Sequence, residues 1–380
     1  MAEPQTQRLA YLDWLRGLAC FGMFEVHCYD AWLSGSARNS SFFGWSQFSG
    51  TIPAPLFVFL AGVSCALVAD RMRRKGASAS QVSARLTRRG AEIFLLGLLF
   101  RAQEFALGWP KAPWTDLLRV DVLNTIGLSI VFLGILCWMV QSRTACAVAA
   151  TSLALGIALL TPPLWTSWRP RWLPWYLESY INGVHIYAAP RAWLFPIFPW
   201  SAFAFAGLAA GFLLLNDWST RNPERAMALL GAGGAGIFFL SWWLNALPVR
   251  VYAVYDYWHT SPNFFLARVG ALLLLMLVAY AWCRWGLGAR GFSPWIQLGQ
   301  TSLIVYWVHT EFVYGRLSIL EKHAQSIPMA TLGLLVISVS MLLLSIARTR
   351  SKGRGKEILA WFNRLRSGML RRATGTAAES

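Results

Sequence analysis

Arg16 and His27 stand eleven positions apart inside the first apolar segment, LRGLACFGMFEVH. At about 100° per residue, eleven helical steps return the second side chain to within about 20° of the first. The two therefore share one helix face, about 16 Å apart along its axis, roughly half the thickness of a bilayer core. Asp13 and Asp30 extend the stripe by three residues at either end. Ionisable groups are costly inside a membrane helix, and where they occur they usually face a cavity or mark a reaction or transport path. The plainer alternative is a ladder of salt bridges that ties helices together.

A membrane setting agrees with the rest of the chain. Apolar residues make up 56% of the sequence and charged residues only 13%, against about 25% charged in soluble domains. Ten charge-poor stretches approach the length of a bilayer-spanning helix: 12–32, 52–70, 91–105, 120–140, 145–160, 196–215, 227–244, 264–283, 296–317 and 328–346. The expectation is an all-α polytopic membrane protein of about ten helices. Residues 1–347 form the membrane domain and 348–380 a basic tail.

The net charge of +17 does not point to nucleic acid, because the basic residues are segregated. Of the 34 Lys and Arg, 22 fall at one set of alternate connections and termini and eight at the other, and Arg16, Arg101, Arg268 and Arg316 lie within spans. The positive-inside rule then places both termini in the cytoplasm. In the tail, apolar residues at 358, 362, 365 and 369 alternate with basic ones, as in a helix lying on anionic lipid; a disordered basic tail is the alternative.

No cleaved signal peptide is expected at the N-terminus, where the first apolar segment carries Asp13, Arg16, Glu25 and His27. The six cysteines sit in or beside apolar spans without a CxxC pair and read as packing residues. The cluster GAGGAG at 231–236 follows no strand, so it reads as a close helix contact and not as a phosphate-binding loop. The connection 161–195 carries five Trp among Pro breaks. It suits either an aromatic belt at the headgroups or a re-entrant wall of an acceptor site. His185 in that connection and His259 in the next outer one read as surface residues.

With alternate spans running outward, the polar side chains gather at similar depth. His27 and Asp30 lie in the outer half of the first span. Arg101 and Glu104 end the third, Asp121 and Asn124 open the fourth, and Arg268 lies early in the eighth. In the ninth, His309 shares a face with Ser302, Tyr306 and Arg316, with Glu311 close by. Two classes fit such a column. A transporter uses it as a proton or solute relay, often in two related halves with interrupted helices; no such halves are evident. A transferase takes an activated donor at one face and hands its group to an acceptor at the other. A mid-membrane His then serves as general base and an Arg at the cytoplasmic mouth pairs with donor phosphates. No His, Asp and Glu set has metal-ligand spacing.

The blocks RLAYLDWLRGLA, PLFVFLAGVS, RRGAEIFLLGLLFR, LLRVDVLNTIGLS, FPWSAFAFAGLAAG and LGQTSLIVYWVHTEFVYG run in order over residues 8 to 318. They resemble the bacterial family related to the catalytic domain of heparan-α-glucosaminide N-acetyltransferase. Arg16 and His27 also match the Arg-ten-residues-His signature of the acyltransferase-3 enzymes. The resemblance implies an acyl-CoA-dependent transferase, acetyl-CoA being the expected donor. It implies His27 as base and Arg16 in the donor site; by position, Asp13 beside Arg16 would help steady the donor and Asp30, one turn beyond His27, would orient the base. His309 is the reserve base, and Arg101, Asp121, Asn124, Arg268, Tyr306 and Glu311 are lining residues. The resemblance departs at His27 itself. The family's human lysosomal member is similar in the first block but carries Asn there, and its catalytic His falls near the position of Arg38. Glucosamine specificity is therefore not carried over. The expected partners are the lipid bilayer of a bacterial inner membrane and an envelope glycan, glycolipid or small exported acceptor, with a homodimer as one open assembly.

Reporter fusions at Ser380 and within 161–195 are expected to report opposite compartments. The same compartment for both would overturn the depth assignments.

Overall fold

The computed structural model describes residues 9–183, 195–249, 251–254, 256–286 and 291–375, with side chains as far as Ser351. Helix α1 (Ala10–Trp32) leads through two short helices, α2 (Gly35–Arg38) and α3 (Ser41–Ser49), into α4 (Pro53–Arg74) and α5 (Ala79–Gly108). After α6 (Val122–Met139) and α7 (Arg143–Thr166) come α8 (Trp175–Asn182), α9 (Ile197–Leu214), α10 (Asp217–Arg221), α11 (Pro223–Ala246) and α12 (Pro262–Trp285). Helices α13 (Pro294–Gln300) and α14 (Ser302–Val313) are the halves of one interrupted segment, and α15 (Ile327–Gly375) follows. Among the described residues the only β-type pairing is a single bridge between Leu33 and Gln325.

Seven helical segments among the described residues are long and apolar enough to cross a membrane, those containing α4, α6, α7, α9, α11, α12 and the first part of α15. Three of the ten expected spans fall short, two because they carry charged residues and one because it is interrupted. Helix α1 holds Asp13, Arg16, Glu25 and Asp30, α5 holds Arg85, Arg88, Arg89, Arg101 and Glu104, and the third is broken at Thr301. The break is satisfied from α15. Thr301 Oγ1 donates to Ser345 Oγ at 2.6 Å, and Ser345 Oγ donates to the Gln297 carbonyl at 2.8 Å, as backbone freed from a helix at membrane depth requires.

The basic end is more helical than its charge suggests. The connection between α4 and α5 shrinks to Lys75–Ser78, because Ser78 and Gln81 form a capping box that starts α5 early. Arg73 reaches across to the carbonyls of Cys137, Val140 and Gln141 at 2.8–3.1 Å and closes the C-terminal end of α6. In the connection 161–195, α7 runs on to Thr166, α8 occupies the middle, and Trp165 donates to the Phe198 carbonyl at 2.9 Å. His185 lies outside the described residues. His259 is exposed and bonded to Asp256 at 2.8 Å. Helix α15 continues without a break through the basic tail to Gly375, and the side chains at 358, 362, 365 and 369 lie outside the described ones.

Helix crossings are set by glycines facing backbone. A Cβ on Gly17 of α1 would fall 1.8 Å from the Trp295 carbonyl oxygen of α13, and one on Gly299 would fall 1.8 Å from the Asp13 carbonyl oxygen of α1. The same reciprocal arrangement joins α4 to α9 through Gly62 and Gly207, and α11 to α12 through Gly234 and Gly270. Small residues replace the missing hydrophobic drive between membrane helices with close van der Waals contact. The GAGGAG cluster thus divides by face, Gly231 and Gly234 against α12 and Gly233 and Gly236 facing open space. Gly299→Ala is expected to lower stability by about 1–3 kcal/mol or more, since neither backbone can yield. Gly233→Ala should be close to neutral. Thermal unfolding midpoints of the purified protein in detergent check the contrast.

Candidate active site

Helix α1 belongs to two packed clusters at once. Leu12, Leu15 and Ala19 join the larger one with α4 and α9, and Cys20, Phe24, Cys28 and Trp32 join a second with α14 and α15. Its polar face opens between them onto a cavity of about 2340 Å³, more than twice the usual upper size of a small-molecule pocket, about 1,000 Å³. Residues from both ends of the bundle line this one space. Arg85, Arg89 and Arg348 lie at the end where α1 begins, and Arg38, Arg119 and Lys322 at the end where it finishes.

His27 lines the cavity, and its Nδ1 lies 3.0 Å from Nε2 of His309 on α14. The two rings are nearly parallel, 12° apart. Nδ1 of His309 is in turn 3.0 Å from the Val305 carbonyl. A carbonyl only accepts, so His309 Nδ1 carries a proton and donates it. With His309 neutral, its Nε2 is an acceptor, and the proton between the rings belongs to His27 Nδ1. That leaves Nε2 of His27 as a free lone pair, on a ring that borders the cavity while His309 is wholly buried. The network thus assigns the tautomer, with His27 as the group able to take a proton and His309 as the group that holds it.

Asp30 does not orient His27. Its carboxylate accepts from Tyr314 Oη at 2.8 Å and meets Arg38 at 3.3 Å, and Arg38 also donates to the Asp30 carbonyl. Tyr314 returns to the site through a T-shaped ring contact with His27, with centroids 5.0 Å apart. At the other end of the stripe, Arg16 is paired with Asp13 at 2.9 Å and donates to Ser64 Oγ of α4 at 2.6 Å. The Arg16 side chain is 27% exposed and lines the cavity, whereas Asp13 is buried behind it.

A third cluster joins α5, α6 and α14. Arg101 meets Asp121 at 3.3 Å, and Tyr306 Oη donates to Asp121 at 3.1 Å; all three line the cavity. Asp121 also caps α6 by accepting from Leu123 N at 2.9 Å. Two residues expected to line the path do not. Asn124 is fully buried, closing the capping box with Asp121 and donating to the Phe94 carbonyl at 3.0 Å. Glu311 is buried and accepts from Gln103, which in turn accepts from Trp307 at 3.0 Å. Arg268 lines the cavity with its guanidinium 3.8 Å from the centre of the Phe264 ring.

Ser64, Tyr314 and Gln103 escaped the sequence reading. Ser64 is the polar residue that ends the block PLFVFLAGVS, and Tyr314 stands five residues after His309 in the block LGQTSLIVYWVHTEFVYG; both signals were present. Among the described residues no three His, Cys, Asp or Glu side chains gather as metal ligands.

The family model described as "Heparan-alpha-glucosaminide N-acetyltransferase, catalytic" matches residues 8–242. No curated protein matches the sequence. The matched span runs from α1 nearly to the end of α11 and carries Arg16, His27, Asp30, Arg101 and Asp121. The block LGQTSLIVYWVHTEFVYG, with His309, lies beyond it. Spanning more than half of the 380 residues, the match shows that the chain belongs to the heparan-α-glucosaminide N-acetyltransferase catalytic family, a family of transferases.

Proposed function

We propose that the protein moves an acyl group, acetyl first among them, from cytoplasmic acyl-CoA to a hydroxyl or amine of an envelope glycan, glycolipid or small exported acceptor. In this reading the chain crosses a bacterial inner membrane ten times with both termini inside. Residues 1–347 do the chemistry and the basic tail rests on lipid. The observation that carries the proposal is the Val305–His309–His27 chain on the wall of one cavity bordered by residues from both ends of the bundle.

The donor enters where Arg16, Arg85, Arg89 and Arg348 border the cavity, cations of the kind that suit phosphates. Its thioester sits at the tip of a long flexible arm, which suits the separation of about 16 Å from Arg16 to His27. His27 Nε2 takes the proton from the acceptor hydroxyl or amine as that atom attacks the thioester carbonyl. The new C–O or C–N bond forms, the C–S bond breaks, and the proton on His27 passes to the departing thiolate. The acyl acceptor and free CoA are the products. During this step His27 is cationic, and its Nδ1 proton, shared with His309 Nε2, steadies the charge.

His27→Gln is expected to cut transfer by about 10²–10⁴-fold with acyl-CoA binding retained. His309→Leu removes the acceptor of the His27 Nδ1 proton and should cost more than His309→Gln, whose amide oxygen can still accept. Acyl-CoA consumption against envelope extracts measures both. A fully active His27→Gln protein would sink the assignment. Arg16→Ala should weaken acetyl-CoA binding by roughly tenfold or more, the worth of a charge-assisted hydrogen bond. Equilibrium binding to protein in detergent reads this directly. A transporter would ignore acetyl-CoA altogether.

A further inference from the structure

Of the arginines that border the cavity, Arg16, Arg38 and Arg101 each meet a carboxylate within 3.3 Å, Arg88 and Arg89 share Glu92, and Arg85, Arg119 and Arg348 are exposed at its mouths. Arg268 also borders it and is only half-exposed, yet no carboxylate pairs with it among the described residues. Its Nε is buried without a hydrogen-bond partner, and one Nη reaches the Trp258 carbonyl at a long 3.4 Å. The Phe264 ring holds one guanidinium face at 3.8 Å. Such a stack positions the fork and leaves most of its in-plane donors free. A guanidinium held this deep is costly unless something supplies negative charge, and no carboxylate among the described residues pairs with it.

The place of this arginine is informative. It lies six residues into α12 and His27 five residues before the end of α1, both about 7–9 Å below the same end of the bundle. Trp165, Trp200 and Trp258 line the cavity too. Flat indole faces suit the CH-rich face of a sugar ring.

We propose that Arg268 binds an oxyanion on the acceptor, so that the acceptor is an acidic sugar or sugar phosphate and not a neutral one. The inference rests on the acyltransferase reading and names the acceptor class for that same site. A phosphate or a carboxylate would meet the free edge of the guanidinium while the ring packs on the tryptophans, leaving its hydroxyl or amine to be presented to His27 Nε2.

The test uses the full-length protein in detergent and three probes: glucose 6-phosphate, glucuronate and unmodified glucose. The wild type is expected to bind at least one acidic probe tenfold or more tightly than glucose. Preference for the first or the second tells phosphate from carboxylate. Arg268→Gln should abolish the preference and Arg268→Lys should restore part of it, with a similar unfolding temperature in all three proteins. Equal binding of acidic and neutral probes by the wild type, no binding of any, or an unchanged preference in Arg268→Gln would overturn the proposal. A misfolded Arg268→Gln leaves Arg268→Lys to decide, since a preference equal to the wild type's excludes the forked contact. Acetyl-CoA binding, measured on the same preparations, reports separately on the transferase reading.

Discussion

Inside a bilayer no water completes an unmet hydrogen bond, so each polar group on a spanning helix needs a partner supplied by the protein. Helix α1 carries more such groups than a single neighbour could serve, and its partners come from several: Ser49 of α3 for Glu25, Ser64 of α4 for Arg16 and His309 of α14 for His27, with α13 at backbone distance setting their spacing. Gly17 against Trp295 and Gly299 against Asp13 fix the register of the two segments. The break at Thr301 then redirects the chain, and α14 brings His309 beside His27 while α13 stays beside Asp13. A side chain at either glycine would shift both contacts together.

The polar groups are grouped and not strung in one line. Arg16 with Asp13, Arg38 with Asp30 and Tyr314, and Arg101 with Asp121 and Tyr306 are three nearly neutral units on different helices around the same cavity. Pairing of this kind lowers the cost of keeping guanidinium groups at depth, even where it adds little net stability. It also separates function from structure. A cation that is already neutralised shapes the wall, whereas one left without a carboxylate has charge to offer a ligand.

The stripe on α1 was legible in the sequence because helical periodicity alone puts Arg16 and His27 on one face. So was the close packing of GAGGAG, and the family through its ordered blocks. The contact between His27 and His309 was not, because it joins residues 282 positions apart and depends on a helix break that local sequence marks only weakly, by Gly299–Gln300–Thr301. Asn124 was misplaced for a different reason. Asp121 and Asn124 stand three apart before an apolar run, the spacing of a capping box. At that position a polar pair serves the helix start before it serves a ligand. The three spans that fall short of a simple apolar helix, α1, α5 and α13–α14, are also the ones that bear His27, Arg101 and His309. The charged residues in the first two of those spans were themselves a pointer to the site.

The choice of a His–His–carbonyl chain over a His–carboxylate pair follows from the same medium. A carboxylate hydrogen-bonded to His27 would place a fixed negative charge at depth and favour the protonated ring, which is no longer a base. Two neutral imidazoles ending on a backbone carbonyl cost little to bury, yet they still fix the tautomer and leave Nε2 free. Charge then arises only while the proton is in transit. Beside the His27 ring lies the Tyr314 ring, whose hydroxyl donates to Asp30. The carboxylate that the sequence suggested as a direct partner is bonded instead to Tyr314 and Arg38, so His27 is left without a fixed negative partner, as the proposed base requires.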